Sequence, residues 1–248
     1  MKIRVVTYNI HRAIGVDRRF RIERVEEILR HHNGDIVLLQ EVDKGAPRSR
    51  ELDLAEELRR RLDYPYCAAG HNVRLRKGVY GNATLSQFPI LRERNIDLTI
   101  GNRKRRGCQH TTLRAESTQH TTHIIDIFNV HLGLSQRERE KQVGLLAHSH
   151  EFRDLPRQTA SIIGGDFNDW RARLRPIFTE ILGFSSASER HSHAIRDIRT
   201  YPSFSPSGAL DKLFYRGGIR RLSCRRCRMR LSKVASDHLP LIADFELA

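Results

Sequence analysis

Polar side chains with acid–base or metal-binding chemistry follow several short apolar runs of the sequence. They are Asn9 in TYN, Glu41 in LLQE, His131 in NVH, Asp166 and Asn168 in GGDFN, Asp211 in LDK, and Asp237 and His238 in SDH. Carboxylate and carboxamide oxygens are ligands that hard dications prefer, and imidazole beside a carboxylate can hold or move a proton. If the strands lie side by side, their ends converge, as metal-assisted hydrolysis requires.

Each of these residues alone has an ordinary structural explanation. Glu41 fits a surface carboxylate after a strand, and His131 fits a hydrogen-bonded polar residue. Asp166 and Asn168 fit an Asx-turn, and Asp211 fits a strand-end cap. The Asp237–His238 pair is harder to explain so, because it stands at the entrance to a buried strand. The prediction of chemistry therefore rests on the ordered set.

Apolar runs that could supply these strands alternate with amphipathic segments along the whole chain. Strand-like runs outnumber helical ones by about two to one, and many end at Gly, Asn or Pro. Ser135 and Glu138 form a capping pattern for a helix that follows. No linker or internal repeat interrupts the pattern, so residues 1–248 are predicted to form one domain. The predicted class is α/β, with stacked sheets and helices on the outer faces.

The succession TYNIHR, LLQEVD, YGNATLS, NVHLG, GGDFND, LDKLF and SDHLPL resembles the endonuclease/exonuclease/phosphatase superfamily. The resemblance is to metal-dependent phosphoesterases of the exonuclease III and pancreatic deoxyribonuclease type, in a bacterial branch. It extends from Asn9 to His238, essentially the whole chain. It implies a four-layer α/β/β/α sandwich of two mainly antiparallel sheets flanked by helices.

The resemblance also implies roles for individual residues. The implied ligands of Mg²⁺ or Mn²⁺ are Glu41, Asn9 and Asp237, and the implied phosphate-side residues are Asn82 and Arg114. The implied catalytic residues are Asp166, which orients or deprotonates water, Asn168, His131, His238, and Asp211, which orients His238. Such a set would hydrolyse a phosphodiester by in-line attack of an activated water without a covalent enzyme intermediate.

These motifs do not identify the substrate. LDK stands where abasic-site endonucleases of the superfamily typically have LDY, and GDFNDW stands where the 5-phosphatase branch has GD-x-N-Y-R. The net charge is +15, from 44 Lys+Arg against 29 Asp+Glu, and 37 of the cations are Arg. Arginine matches phosphate geometry bidentately, although a coding bias toward Arg would give the same excess. The charge predicts an anionic partner without choosing one.

Three functions stay open on these grounds. A nuclease acting on DNA or RNA is favoured by the RKRR run at Arg103–Arg106 and by RRLSCRRCRMR. A phospholipid or phosphoinositide phosphodiesterase would use the same catalytic set, and the segment TYPSFSPSGAL would then meet anionic lipid. A non-catalytic nucleic-acid-binding protein is the third, and the intact motif set argues against it.

The sequence also indicates what to expect for membrane spans, secretion, cysteines and loops. No run of about eighteen apolar residues occurs, so no transmembrane segment is predicted, and a secretory leader is not evident. A cytoplasmic location is the simplest expectation. The four cysteines do not form a disulfide framework, and Cys224–Cys227 fits ordinary positions on a basic strand. Residues 185–207 are predicted to form a loop, either facing the substrate or disordered.

Overall fold

The computed structural model describes residues 1–117, 121–189 and 197–248, so residues 190–196 of the predicted 185–207 loop lie outside the described residues. The strands in this part are β1 (Lys2–Asn9), β2 (Ile36–Lys44), β3 (Tyr66–Arg74), β4 (Val79–Ser86), β5 (Ile90–Asp97), β6 (Gly107–Glu116), β7 (Thr122–His131), β8 (Ala160–Asp166), β9 (Ser185–Ser186), β10 (Asp211–Arg216), β11 (Ile219–Arg226) and β12 (Leu241–Leu247). The helices are α1 (Ile22–His32), α2 (Leu54–Arg61), α3 (Gln136–His148), α4 (His150–Arg153) and α5 (Ser232–Ala235). Short 3₁₀ turns cover His11–Ala13 and Pro47–Ser49, and a π-helical turn covers Ile177–Ile181.

Within these ranges the strands form two sheets of six. The first sheet has the order β11-β12-β1-β2-β4-β3, and the second has the order β5-β6-β7-β8-β10-β9. Each described sheet contains one parallel pair at its centre, β1–β2 in the first and β7–β8 in the second. The other neighbouring strands are antiparallel. The prediction of two mainly antiparallel sheets is confirmed.

Three apolar clusters show how the layers stack. The middle cluster joins the sheets, with Val5 and Leu38 of the first beside Ile127 and Leu213 of the second. A second cluster packs α1 and α2 on the outer face of the first sheet, and a third packs α3 and α4 on the outer face of the second. Burial of this apolar surface is the main term that holds the layers together. The four-layer α/β/β/α sandwich is confirmed.

A buried polar network also joins the two sheets. Gln40 Nε2 donates to Asn129 Oδ1 at 2.8 Å, and Asn129 Nδ2 donates to the carbonyl oxygens of Leu39 and Ala83. Asn82 Nδ2 donates to the carbonyl oxygens of Asn129 and Gly107 at 3.0 and 3.2 Å. Polar groups buried between sheets need such partners, and once paired they fix the register of the two layers.

This network corrects the expected role of Asn82. Its carboxamide nitrogen is used between the sheets, and the residue is 2% exposed. Asn82 is thus part of the support beneath the strand ends rather than a phosphate-side residue.

Helix α3 begins as the sequence predicted. Ser135 Oγ accepts a hydrogen bond from the backbone N–H of Glu138 at 3.3 Å, which caps the first turn. Because α3 follows β7 directly after residues 132–135, this cap also fixes the loop that leaves His131. In the described ranges no helix is both long and apolar enough to span a membrane. All four cysteines are free, and Cys224 lies in β11 as expected.

Candidate active site

The predicted polar residues meet where the central parallel pairs of both sheets end. Asn9, the last residue of β1, is paired with Gln40, where the pairing of β1 with β2 ends, and His131 is paired with Asp166 at the ends of β7 and β8. Asp211 is the antiparallel partner of Asp166 on β10. Because the carboxyl ends of parallel strands share an edge, two sheets stacked in this orientation bring the ends of both parallel pairings to one rim.

A cavity of about 550 Å³ opens at this rim. Seven of the predicted residues line it: Asn9, Glu41, His131, Asp166, Asn168, Asp237 and His238. Asp211 lies behind His238 and is fully buried. The structure therefore brings together eight of the ten residues singled out from the sequence. Asn82 lies between the sheets, and Arg114 lies elsewhere on the second sheet.

Backbone conformations around the cavity are unusual at the residues that matter. Glu41 has a φ of +57° at a bulge where the pairing of β2 with β4 shifts, and Asn168 has a φ of +51°. Gly165 has a φ of +139°, and a Cβ there would lie 2.0 Å from the carbonyl oxygen of Val130. Left-handed backbone at a residue other than Gly costs on the order of 1–3 kcal/mol and persists only where the surroundings enforce it. Here it directs Glu41 and Asn168 into the cavity.

Asp166 is the centre of the hydrogen-bond arrangement. Its Oδ2 accepts from Asn9 Nδ2 at 3.0 Å, and its Oδ1 accepts from the backbone N–H of Asn168 at 2.9 Å. Burial raises the pKa of Asp166, and the charge of His238 opposes that rise. A carboxylate whose pKa is moved toward neutrality is suited to accept a proton from water. Asn9 of the first sheet therefore holds Asp166 of the second. The Asn9 carboxamide is itself held in place, because its Oδ1 accepts from the backbone N–H of His11.

Both the backbone and the ring of His238 are held by hydrogen bonds. Its backbone N–H donates to Ser236 Oγ, which in turn donates to the carbonyl oxygen of Asn9 at the end of β1. Its Nδ1 lies 2.8 Å from Asp211 Oδ2, and that oxygen also accepts from Thr200 Oγ1 at 2.6 Å. Nε2 is directed toward Asp166, 3.7 Å from Oδ2.

The pKa values of the two histidines in the cavity are shifted in opposite directions. Burial alone would lower the pKa of His238, but the carboxylates of Asp211 and Asp166 outweigh it and raise that pKa to about 10. Burial lowers the pKa of His131 well below its usual value, and the charges of Arg106 and Lys104 lower it further. At neutral pH the cavity thus presents an imidazolium at His238 and a neutral imidazole at His131.

Two carboxylates at the cavity, those of Glu41 and Asp237, offer oxygen ligands of the kind that divalent cations bind. Glu41 Oε2 is buried and accepts no hydrogen bond from the described residues, while Arg12 Nε lies 3.4 Å away. Asp237 lines the same cavity with a side chain about one third exposed. The described part of the chain holds no cluster of three or more His, Cys, Asp or Glu side chains in metal-binding geometry. Mg²⁺ suits such a site, since it keeps several waters and uses one or two carboxylates together with substrate phosphate.

Arg103 and Arg106 line the cavity, and the predicted Arg114 does not. Arg106 is 5% exposed, and no hydrogen bond satisfies its Nε within the described ranges. None of the carboxylates in those ranges forms an ion pair with it. Arg114 is seven residues further along β6 from Gly107, the partner of His131, and roughly 24 Å from that end at 3.4 Å per residue. Its exposed guanidinium pairs with Glu116 at 3.3 Å.

Comparison with known proteins agrees with this geometry. Residues 6–238 match the Endonuclease/Exonuclease/phosphatase family. The chain belongs to this family. An uncharacterised Escherichia coli K12 protein, YbhP, is 29% identical over 98% of this chain and 96% of its own length. Enzymes of the family are hydrolytic phosphoesterases that generally use divalent metals.

Solved structures with the same fold include an endonuclease/exonuclease/phosphatase of Bacteroides vulgatus. It has a TM-score of 0.78 and 20% identity, and the match covers all of both chains. A mannosyl-6-phosphatase of Bacteroides thetaiotaomicron has a TM-score of 0.74 and 16% identity over 99% of this chain and all of its own. At these sequence identities the similarity shows a shared fold alone.

Three further residues at or beside the cavity are not among the ten predicted site residues, although TYNIHR, GDFNDW and TYPSFSPSGAL contain them. Arg12 faces Glu41, Tyr201 packs on the ring of His238 with centroids 5.0 Å apart, and Trp170 stands at the rim. Trp170 follows the GDFND motif directly, so proximity to that motif was the signal for it. Arg12 and Tyr201 come from a turn and a loop whose geometry the sequence pattern does not reveal.

The two basic runs have different locations. Arg103, Lys104 and Arg106, in the loop between β5 and β6, line the cavity that holds Glu41, Asp166 and His238. The run in β11 lies at the edge of the first sheet, where Arg225 and Arg228 border a separate cavity of about 350 Å³. Only the first run therefore contributes to the family site.

Proposed function

We propose that this chain is a divalent-metal-dependent hydrolase that cleaves phosphodiester bonds of DNA or RNA, with Mg²⁺ or Mn²⁺ as cofactor. The observation that carries the proposal is buried Arg106, which lacks a carboxylate partner among the described residues and lies in the same cavity as Glu41, Asp166 and His238. A buried cation without a counter-charge is costly, and a substrate phosphate would supply that charge bidentately. The net charge of +15 favours a polyanion.

Asp166 acts as the base in this proposal. It accepts a proton from the attacking water while Asn9 and the backbone N–H of Asn168 hold its two oxygens in place. The water oxygen bonds to phosphorus as the bond to the leaving oxygen breaks, in line. The Asn168 side chain donates to the carbonyl oxygen of Leu132, which leaves its own carboxamide oxygen to orient the water.

His238 acts as the cationic hydrogen-bond donor. Its Nε2–H binds a non-bridging phosphate oxygen, where negative charge builds up in the transition state. Asp211 accepts from Nδ1 and so fixes both the ring orientation and the imidazolium charge. Neutral His131, 3.5 Å from Asp166, stands beside the scissile phosphate.

Glu41 and Asp237 would hold the cation, with Asn9 adjacent. When bound, the cation supplies charge neutralisation at the phosphate, which otherwise repels an approaching hydroxide. Arg12, whose Nε lies 3.4 Å from Glu41 Oε2, would be the cationic neighbour of that carboxylate. The organisation of residues 1–248 as one domain and a cytoplasmic location are further parts of this proposal.

A second candidate is hydrolysis of an anionic phospholipid. Leu134, which lines the cavity, is 75% exposed, and Phe204, in the loop that follows Tyr201, is 64% exposed. Exposed apolar groups beside a cationic rim are typical of proteins that touch a membrane surface. The catalytic residues would be the same, so only the substrate separates the two candidates.

The first experiment tests the chemistry. Purified protein is assayed on bis(p-nitrophenyl) phosphate with Mg²⁺ or Mn²⁺, and Glu41→Gln is compared with Glu27→Gln, an exposed glutamate of α1. We expect chelator to abolish turnover and Glu41→Gln to reduce kcat/KM by roughly 10²- to 10³-fold, while Glu27→Gln stays at wild type. Turnover that ignores both chelator and Glu41→Gln would contradict the proposed function.

The same protein is then offered plasmid DNA, single-stranded DNA, RNA, anionic phospholipid vesicles, sphingomyelin, inositol phosphates and mannose 6-phosphate. Cleavage of a nucleic acid supports the first candidate. Turnover of lipids alone supports the second and overturns the nuclease assignment, as would turnover confined to a phosphomonoester.

A further inference from the structure

Trp170, the single tryptophan of the chain, stands at the rim of the catalytic cavity with 54% of its surface exposed. Large aromatic rings usually lie mostly buried, and this one is left open beside a catalytic centre. None of the catalytic steps proposed above uses the ring.

The position of the ring is fixed by its neighbours. A Cβ at Gly208 would lie 2.7 Å from Trp170 Cζ3, so only glycine allows the indole to lie against this backbone. Tyr201 meets the indole edge to face, with centroids 5.3 Å apart and planes at 86°. Tyr201 in turn packs on His238. The indole is therefore a preorganised surface, connected through one ring to the histidine that is proposed to bind the phosphate.

The rest of the same cavity is cationic. Arg103, Lys104 and Arg106 line it together with the indole, and Arg103 is tied to Glu138 of α3 at 3.5 Å. A ligand that spans the cavity thus meets positive charge at one part and an open aromatic face at another. A nucleotide unit matches this pair, because a charged phosphate and a flat base are joined by one sugar.

We propose that Trp170 is a stacking platform for a nucleobase next to the scissile phosphate, so that the enzyme takes unstacked nucleotides and prefers single-stranded or frayed ends to intact duplex. The proposal rests on the proposed nuclease function and adds the strand state of its substrate. Stacking on an aromatic side chain is sequence-tolerant, since every base has a π face, whereas a base inside a duplex must first be unstacked.

The test measures binding in an Asp166→Asn background with Mg²⁺, so that turnover does not interfere. Ligands are a fluorescently labelled ten-residue oligothymidylate, the same oligomer built from abasic residues, and a ten-base-pair duplex. We expect oligothymidylate to quench Trp170 fluorescence and to bind roughly 5- to 100-fold more tightly than the abasic oligomer. By anisotropy, Trp170→Ala should remove that difference and Trp170→Phe should keep part of it. Tyr66→Ala, at an exposed aromatic outside the cavity, should keep all of it.

The outcomes separate this proposal from the one it rests on. Equal affinity for base-bearing and abasic oligomers, with cleavage of both by the wild type, would overturn the platform and leave the nuclease function standing. Tighter binding of duplex than of single strand would also overturn it. If wild-type protein cleaves none of the nucleic acids, the nuclease function itself fails. Quenching by anionic vesicles but not by oligomers would assign Trp170 to a lipid surface and overturn the proposal.

Discussion

Two buried histidine–aspartate pairs involve strands of the second sheet, and their immediate contacts are nearly the same. His238 Nδ1 lies 2.8 Å from Asp211, which also accepts from Thr200 Oγ1 at 2.6 Å. His110 Nε2 lies 2.7 Å from Asp126, which also accepts from Thr112 Oγ1 at 2.8 Å. All four of the histidine and aspartate residues are less than 5% exposed.

The surroundings of the second ring nitrogen distinguish the pairs. His238 Nε2 is directed toward Asp166 and an open cavity with carboxylates and arginines. His110 and Asp126 also line a cavity, of about 360 Å³, but the His110 ring stacks on Phe128 with centroids 4.4 Å apart, and its buried Nδ1 has no hydrogen-bond partner in the part of the chain that the structure describes. A histidine oriented by a carboxylate is therefore not by itself a catalytic group. It becomes one when the free nitrogen meets a place where substrate charge develops.

The largest expected effect separates the two histidines. We expect His238→Gln to lower kcat on bis(p-nitrophenyl) phosphate by roughly 10³- to 10⁴-fold, because the imidazolium donor to the phosphate is lost. His110→Gln should leave kcat per folded molecule within about threefold of wild type. Circular dichroism and urea melts establish the folded fraction for both variants. Equal losses of kcat in the two variants would show that the two histidines do not differ in function.

A smaller effect is expected at the carboxylate that orients the catalytic ring. Asp211→Asn keeps the size of the side chain but removes the charge that holds His238 as imidazolium. We expect kcat to fall by about 10- to 100-fold, the range found for partners that orient a functional group. The upper limb of the pH–rate profile should also move to lower pH, because the pKa of His238 is no longer raised by Asp211. A drop in kcat with an unmoved profile would assign Asp211 a purely structural role.

The sequence predicted the central strands better than the edges. β1, β2 and β8 are buried on both faces, and their apolar runs are unmistakable. β3 was not recognised, since YCAAGHNVR at the edge of the first sheet contains few large apolar residues. β5, at the edge of the second, has the sequence ILRERNID, in which charged and polar residues separate the apolar ones. Edge strands bury less surface, so hydrophobic periodicity marks them weakly.

The site residues also differ in how well the sequence predicts them. The eight predicted residues that meet at the cavity lie at or near the ends of strongly patterned strands. Residues on loops depend on how each loop folds back, so the sequence does not place Arg12 beside Glu41 or Tyr201 against the ring of His238. Arg106 lines the cavity in place of the predicted Arg114 for a different reason. The register of β6 against β7 places Gly107, not Arg114, opposite His131. Composition and motif order do not contain that register.

The smallest expected effect concerns the second pair, and it is on stability rather than catalysis. Asp126→Asn leaves the acceptor oxygen for Thr112 and His110 but weakens both hydrogen bonds and adds an amide to a buried position. We expect the free energy of unfolding to fall by about 1–2 kcal/mol, measured from urea midpoints at pH 7, with kcat unchanged. The matched substitution at Asp211 should instead change kcat far more than any shift in midpoint explains. If Asp126→Asn reduced kcat as strongly, His110 would belong to the catalytic machinery. The surroundings of the free ring nitrogen would then no longer explain why one pair is catalytic and the other is not.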